Sequence, residues 1–446
     1  MAMLSDRGRL TAPAIPERPA RRERRHVLLT LTILALPFSY VPLELLPGKV
    51  SVTLAVFALV AATGIRYGVL RRRVVPLEGV TLALSAFILV RLTAIAALEG
   101  APIDWVDALS SALAPLGGVV LFRIAQRPDV KDACLRALRW MLLLLAMVAL
   151  YQEAAGLAWL QGRGYAEGFY YFTFEGTYRP FGTFLSPTVF GAFLAVAGSA
   201  LVCMSRTVRD ALVSLAIVAV PLALTQTRAA WIAFALALAV GWLLRSRARP
   251  VHLTLGIAAA VWGAAFVVWL VPSAVDALVE RLATISDAGF SSNLARVRLW
   301  EGTVEATLDG SPLVGFPAER FTSLVGALAG QYADFGHAHS NYLQLLFLYG
   351  LIGLALFVAI LVIALIGALR DVTTAAATGA PWAYGAVAAL VAFAVDSAFE
   401  TSWTSFSVVA VLYFVLGLGS TAARGTARSM EPIRADALPS ARGWVR

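Results

Sequence analysis

Charge is what this sequence has least of. Only 14% of its 446 residues are Asp, Glu, Lys or Arg, whereas a water-soluble domain carries about 25%. A share that low excludes an ordinary soluble globule, because most of the folded surface would then face water without charge. Cysteine is nearly absent as well. Cys134 and Cys203 give neither a disulfide framework nor metal-ligand spacing. There are four histidines, His26, His252, His337 and His339. The net charge of +9 does not indicate nucleic acid, because the arginines punctuate apolar runs instead of forming one stripe or domain. Internal repeats are missing too, and the only compositional bias is the Ala/Leu enrichment that membrane spans require.

Apolar length is abundant. Hydrophobic residues make up 59% of the chain, and mean hydropathy is +0.78. A membrane-crossing helix takes roughly 20 apolar residues. Hydropathy predicts spans at 27–47, 50–69, 76–98, 104–124, 134–157, 185–204, 210–227, 228–245, 251–272, 341–366, 382–400 and 403–420. The expected fold is all-α: a polytopic membrane protein of about 12 transmembrane helices. Residues 210–245 are interrupted only by Gln226, Thr227 and Arg228. They read as a hairpin, since one helix of that length would far exceed the hydrocarbon core.

Orientation follows from the basic residues. With both termini in the cytoplasm, 27 of the 36 Lys and Arg fall on inner segments, as the positive-inside rule requires. Residues 1–26 then form a cytoplasmic basic tail with no small-residue cleavage site after the first apolar run. Residues 27–272 carry helices one to nine, with an outer loop at about 158–184. Residues 273–340 form a large outer cap loop before the tenth helix, 341–420 carry helices ten to twelve, and 421–446 return to the cytoplasm. Within the cap, 274–284 and 293–308 read as amphipathic helices. Gly310-Ser311-Pro312 and Gly315-Phe316-Pro317 read as turns.

The outer polar inventory is small. It includes Arg179, Arg228, Arg281, Arg296, Arg298, Arg320, His337 and His339. Arg228 sits at the membrane boundary, where a guanidinium is costly without a partner. It either snorkels to the interface or binds an anion, for which a forked, permanently charged donor suits phosphate well. Arg179 precedes Pro180-Phe181-Gly182-Thr183-Phe184 at a span's start, as a structural arginine or as part of a site. Arg296 and Arg298 leave one helix at distinct angles, one toward the site and the other toward water. His337 and His339 lack the three or four ligands zinc wants, and an imidazole is a general base near neutral pH. Asp396 and Glu400, four apart on one face, either pair with arginines, Arg91 among them, or hold acceptor hydroxyls. Together these groups suit a lipid-linked pyrophosphate leaving group, with a histidine taking a proton from an incoming hydroxyl. Charge neutralisation would then fall to arginine, with no metal and no cofactor.

His339-Ser340, nine residues, then Gly350-Leu351-Ile352-Gly353 is similar to the signature of the O-antigen ligase and polymerase family of bacterial envelope glycan enzymes. Three further motifs occur in the family's order: Arg179 with its Gly-Thr-Phe and Pro187, Thr225-Gln226-Thr227-Arg228, and Arg296 four before Trp300 with Pro312 and Gly315 following. Ala229 departs from the Gly that often follows the arginine. The resemblance implies a metal-independent glycosyltransferase of the bacterial inner membrane, with its site facing the periplasm. The donor would be an undecaprenyl-pyrophosphate-linked glycan and, for a ligase, the acceptor a sugar of the lipid A core. His339 would be the base, Arg228 and Arg296 would bind the pyrophosphate or organise the site, and Arg179, Arg298 and His337 are further substrate-binding candidates. A polymerase of the same family is the alternative. A transporter without chemistry is the contrasting class, though its paired halves of broken helices are not visible in the sequence.

Overall fold

The computed structural model describes residues 26–40, 52–69, 73–99, 105–161, 173–174, 177–184, 186–246, 291–329, 336–378 and 380–420. The span expected at 251–272, the cap helix expected at 274–284 and both tails lie outside the described residues. Among the described residues the helices are α1 (Val27–Ala35), α2 (Val52–Arg66), α3 (Pro76–Glu99), α4 (Trp105–Ala125), α5 (Lys131–Gln161), α6 (Pro187–Cys203), α7 (Val208–Leu224), α8 (Arg228–Ser246), α9 (Ser291–Gly310), α10 (Phe321–Ala329), α11 (Asn341–Thr378), α12 (Trp382–Asp396) and α13 (Phe406–Gly419). One small departure from all-α is an antiparallel pair, Thr173–Phe174 with Thr177–Tyr178. Stretches of α3, α5, α8 and α11 are long and apolar enough to cross a membrane, and six more helices are apolar but shorter. The chain is a multi-pass helical membrane protein.

The centre of the bundle is set by helices that are apolar on every face. All of α13 is buried, as are nearly all of α6 and α12. A helix without a polar stripe has no side to give to solvent and goes to the middle. Here α13 packs on α4, α12 and α6, while α12 packs on α8 and α6. Local chemistry fixes the ends. Ser186 caps α6 by accepting from the Val189 N–H at 3.3 Å, with Pro187 in the first turn. Thr207 caps α7 through the Asp210 N–H at 3.1 Å. Separate helices α7 and α8 flank the Thr225–Thr227 turn, where Gln226 sits at φ +50.

The long helix α11 breaks at Gly350, whose φ is +62. The cap backbone fills the break: Leu351 N–H donates to Pro312 O at 2.8 Å and Phe316 N–H to Phe347 O at 2.7 Å. A Cβ at Gly350 would run into the Leu313 carbonyl carbon, so both conformation and space demand glycine there. Arg91 of α3 donates its Nε–H to Val314 O, and its guanidinium lies over the Tyr349 ring at 5.4 Å. These contacts hold the cap segment, and Glu400, one of the two carboxylates considered for Arg91 in the sequence, pairs with Arg296 instead. Leu299, Phe321, Val325, Ala338 and Phe347 make a second small core. That core seats α9 and α10 on α11 and fixes the height of α9 beside the site.

Candidate active site

Five segments converge at one end of the bundle: the loop before α6, the α7–α8 turn, the first half of α9, the loop 336–340, and the loop 397–405. The first two are joined by Arg179. Its Nε donates to Thr225 O at 2.8 Å and its Nη2 to Thr227 Oγ1 at 3.1 Å. Burial brings Arg179 down to about 10, with Arg228 and Arg296 lowering it further and Glu400 opposing. It remains charged at neutral pH. Arg228 is the first residue of α8, and it lies close enough to repel both Arg179 and Arg296.

Arg296 projects from α9 and pairs with Glu400, Nη2 to Oε1 at 2.8 Å. The other carboxylate oxygen, Oε2, faces His339 Nδ1 at 3.7 Å. That is ion-pair range rather than a closed hydrogen bond, and catalytic contacts often tighten only once substrate binds. Burial alone would raise Glu400, but Arg296, His339 and His337 outweigh it and hold the carboxyl at about 2. The predicted span 382–400 ends early, since α12 closes at Asp396 and leaves Glu400 in the loop beyond it. Asp396 is fully buried, with neither carboxyl oxygen hydrogen-bonded among the described residues.

His339 has φ +49, and with Gln226 it is one of two non-glycine residues in the left-handed region among the described residues. Such a conformation costs about 1–3 kcal/mol and persists only where neighbours over-determine it. Here they do. Ala338 N–H donates to Gln344 Oε1 at 2.9 Å, and Trp300 Nε1–H of α9 donates to Ala338 O at 2.9 Å. Asn341 then ties the loop 397–403 in place. Its backbone N–H reaches Ser397 O at 2.8 Å and its side-chain amide Ser397 Oγ at 2.8 Å and Ser402 Oγ at 3.1 Å. Its Oδ1 accepts from Trp403 N–H at 2.8 Å. Asn341 escaped the sequence reading although it follows the His-Ser pair directly, because a neutral amide next to a histidine is an ordinary helix start.

His337 stacks edge-on against His339, ring centroids 4.1 Å apart. Burial, then His339, pushes it down to about 4, while Glu400 pulls it up. The imidazole is neutral at physiological pH. Between its ordinary 6.5 and about 4 the unfolded chain takes up a proton that the folded chain refuses, so acid favours unfolding across that window. The thermal midpoint of the detergent-solubilised protein is expected to fall as pH drops from 6.5 toward 4. His337→Gln should flatten that slope, and an unchanged slope in the variant would count against a buried neutral His337.

Arg298 is the one predicted site residue that the structure turns away. It is 57% exposed and pairs with Glu301 of its own helix at 3.3 Å. Two residues along an α-helix is a rotation of about 200°. With Ala295 and Leu299 facing inward, only Arg296 can reach Glu400. Arg179, Arg228, Arg296, His337 and His339 are brought together, and Glu400, left open by the sequence, joins the cluster.

Residues 211–358 match the family described as O-antigen ligase. Over this stretch the chain is similar to the O-antigen ligase family. That likeness supports a glycan-transferring enzyme. A comparison with curated proteins finds no match. The matched segment contains Arg228, Arg296, His337 and His339 but neither Arg179 nor Glu400. Those two come from the loops before α6 and after α12 and join the site only through the fold.

Proposed function

We propose that this protein is an O-antigen ligase that moves a glycan from undecaprenyl pyrophosphate to a hydroxyl of the lipid A core, on the periplasmic face of the inner membrane, without a metal. One observation carries the reading: three guanidinium groups gather beside a histidine whose Nδ1 faces a buried carboxylate. Like charges held close repel in the resting site, and an incoming diphosphate relieves that repulsion. Glu400 favours a proton on Nδ1 of His339 and leaves Nε2 as the base.

The acceptor oxygen attacks the anomeric carbon as its proton passes to His339 Nε2. The bond between that carbon and the diphosphate oxygen breaks, and undecaprenyl pyrophosphate leaves with its P–O bonds intact. Arg228 and Arg296 receive the negative charge that grows on the departing oxygen, and Arg179 adds its field from behind the α7–α8 turn. We place the site outward, with twelve spans, both termini cytoplasmic, residues 158–184 and 273–340 as the outer loops, and 341–420 as the last three helices. The basic residues of the inner segments support that orientation.

The acceptor separates a ligase from a polymerase, and a deletion strain reads it directly. Loss of all polymer from lipid A is the expected phenotype. Lipid A carrying a single repeat unit would instead assign the chain to polymerisation.

A further inference from the structure

Among the predominantly apolar side chains of α5, Gln152 stands out. It is 2% exposed, and a polar group buried in a membrane helix persists only when its hydrogen bonds are made. Among the described residues, all of the side-chain hydrogen bonds it makes go to a single turn. Its Nε2 donates to Gly182 O at 2.7 Å. Its Oε1 accepts from Phe181 N–H at 3.1 Å and from Gly182 N–H at 2.8 Å. The turn is one that needs outside support, since Gly182 stands at φ +62. Two residues before Phe181 is Arg179, whose guanidinium clasps Thr225 O and Thr227 Oγ1. Thr227 Oγ1 also donates to Pro187 O at 3.3 Å. A continuous set of hydrogen bonds thus runs from α5, through the loop before α6, to the turn from which α8 and Arg228 begin.

We propose that Gln152 is a positioning residue for anion binding: its amide fixes the Phe181–Gly182 turn, so that Arg179 braces the strained Thr225–Thr227 turn that sets Arg228 in place. The proposal rests on the reading of the arginine cluster as a diphosphate site. Gln152 touches no substrate. Its influence passes through Arg179, and that makes it separable from a general packing role. The loop has a second anchor, Thr183 Oγ1 to Pro37 O at 2.8 Å, so the turn loses its register without Gln152 while the bundle still folds.

The test is the affinity of the detergent-solubilised full chain for inorganic pyrophosphate, by calorimetry, in the parent, Q152A, Q152E, R179A, R228A and Q152A/R179A, with thermal midpoints taken alongside. Q152A is expected to weaken binding about tenfold, and the double variant to bind no more weakly than R179A, because both changes act on one brace. Q152E keeps the side chain's size but sets an acceptor against the Gly182 carbonyl, so it should weaken binding about as much as Q152A. Should Q152A fail to fold, Q152E against R179A carries the same comparison. Parental affinity in a folded Q152A, or penalties that multiply in the double variant, would overturn the proposal. R179A and R228A both binding as the parent does is a different result: it removes the diphosphate reading itself, and Gln152's role with it.

Discussion

Changing His339 to Ala is expected to slow glycan transfer by about 10²- to 10⁴-fold, the usual contribution of a positioned general base. The loss should fall on kcat, with the donor KM little changed, because the diphosphate ligands stay in place. The geometry behind this is specific. His339 stands in a left-handed backbone conformation that Ala338, Gln344 and Trp300 hold through hydrogen bonds, and its Nδ1 faces Glu400. Steady-state kinetics with a lipid-linked donor and rough lipopolysaccharide separate the two constants. A variant with parental kcat would mean that another group takes the acceptor's proton.

Arg228→Ala is the second large effect. Removing one preorganised donor from a site where negative charge develops costs about 10²- to 10³-fold in rate, and some loss of donor binding is expected too, since the ground-state diphosphate is already charged. The effect therefore appears in both kcat and KM, which distinguishes it from His339→Ala. Arg298→Ala, four residues before the α9 glycine Gly302 and turned outward with Glu301, is the matched control and should stay near parental activity. Equal losses at Arg228 and Arg298 would point to a general need for positive charge at the membrane surface instead of a built site.

How much of this was legible beforehand depends on how local the cause is. The helix Pro76–Glu99 follows from a predicted span at 76–98, Pro187–Cys203 from 185–204, and Arg228–Ser246 from 228–245, because proline, serine caps and arginine mark their ends in the sequence itself. The early close of α12 at Asp396 has no such mark. The loop after it is held by Asn341, some 55 residues upstream, with a hydrogen bond to Ser397 spanning 56 positions. Periodicity says that Arg296 and Arg298 diverge, but which one faces inward depends on how Ala295 and Leu299 seat α9 on α11, a tertiary fact. The pairing of Arg296 with Glu400 spans 104 positions, and no spacing rule reaches that far. Gln152 left little trace: beside Glu153 near the end of a predicted span it reads as an ordinary polar helix end, and its partner at Gly182 lies 30 positions away.

Arginines and a histidine, on the proposed function, perform the transfer by themselves at a single site. The most direct measurement of that claim is glycan transfer by the purified protein, from the lipid-linked donor to rough lipopolysaccharide, in EDTA and without ATP, with the parent beside His339→Ala. The parent should form glycosylated product and free lipid diphosphate in equal amounts, and the variant almost none. Product that appears only when a divalent cation is restored, or that forms equally in both proteins, would contradict it.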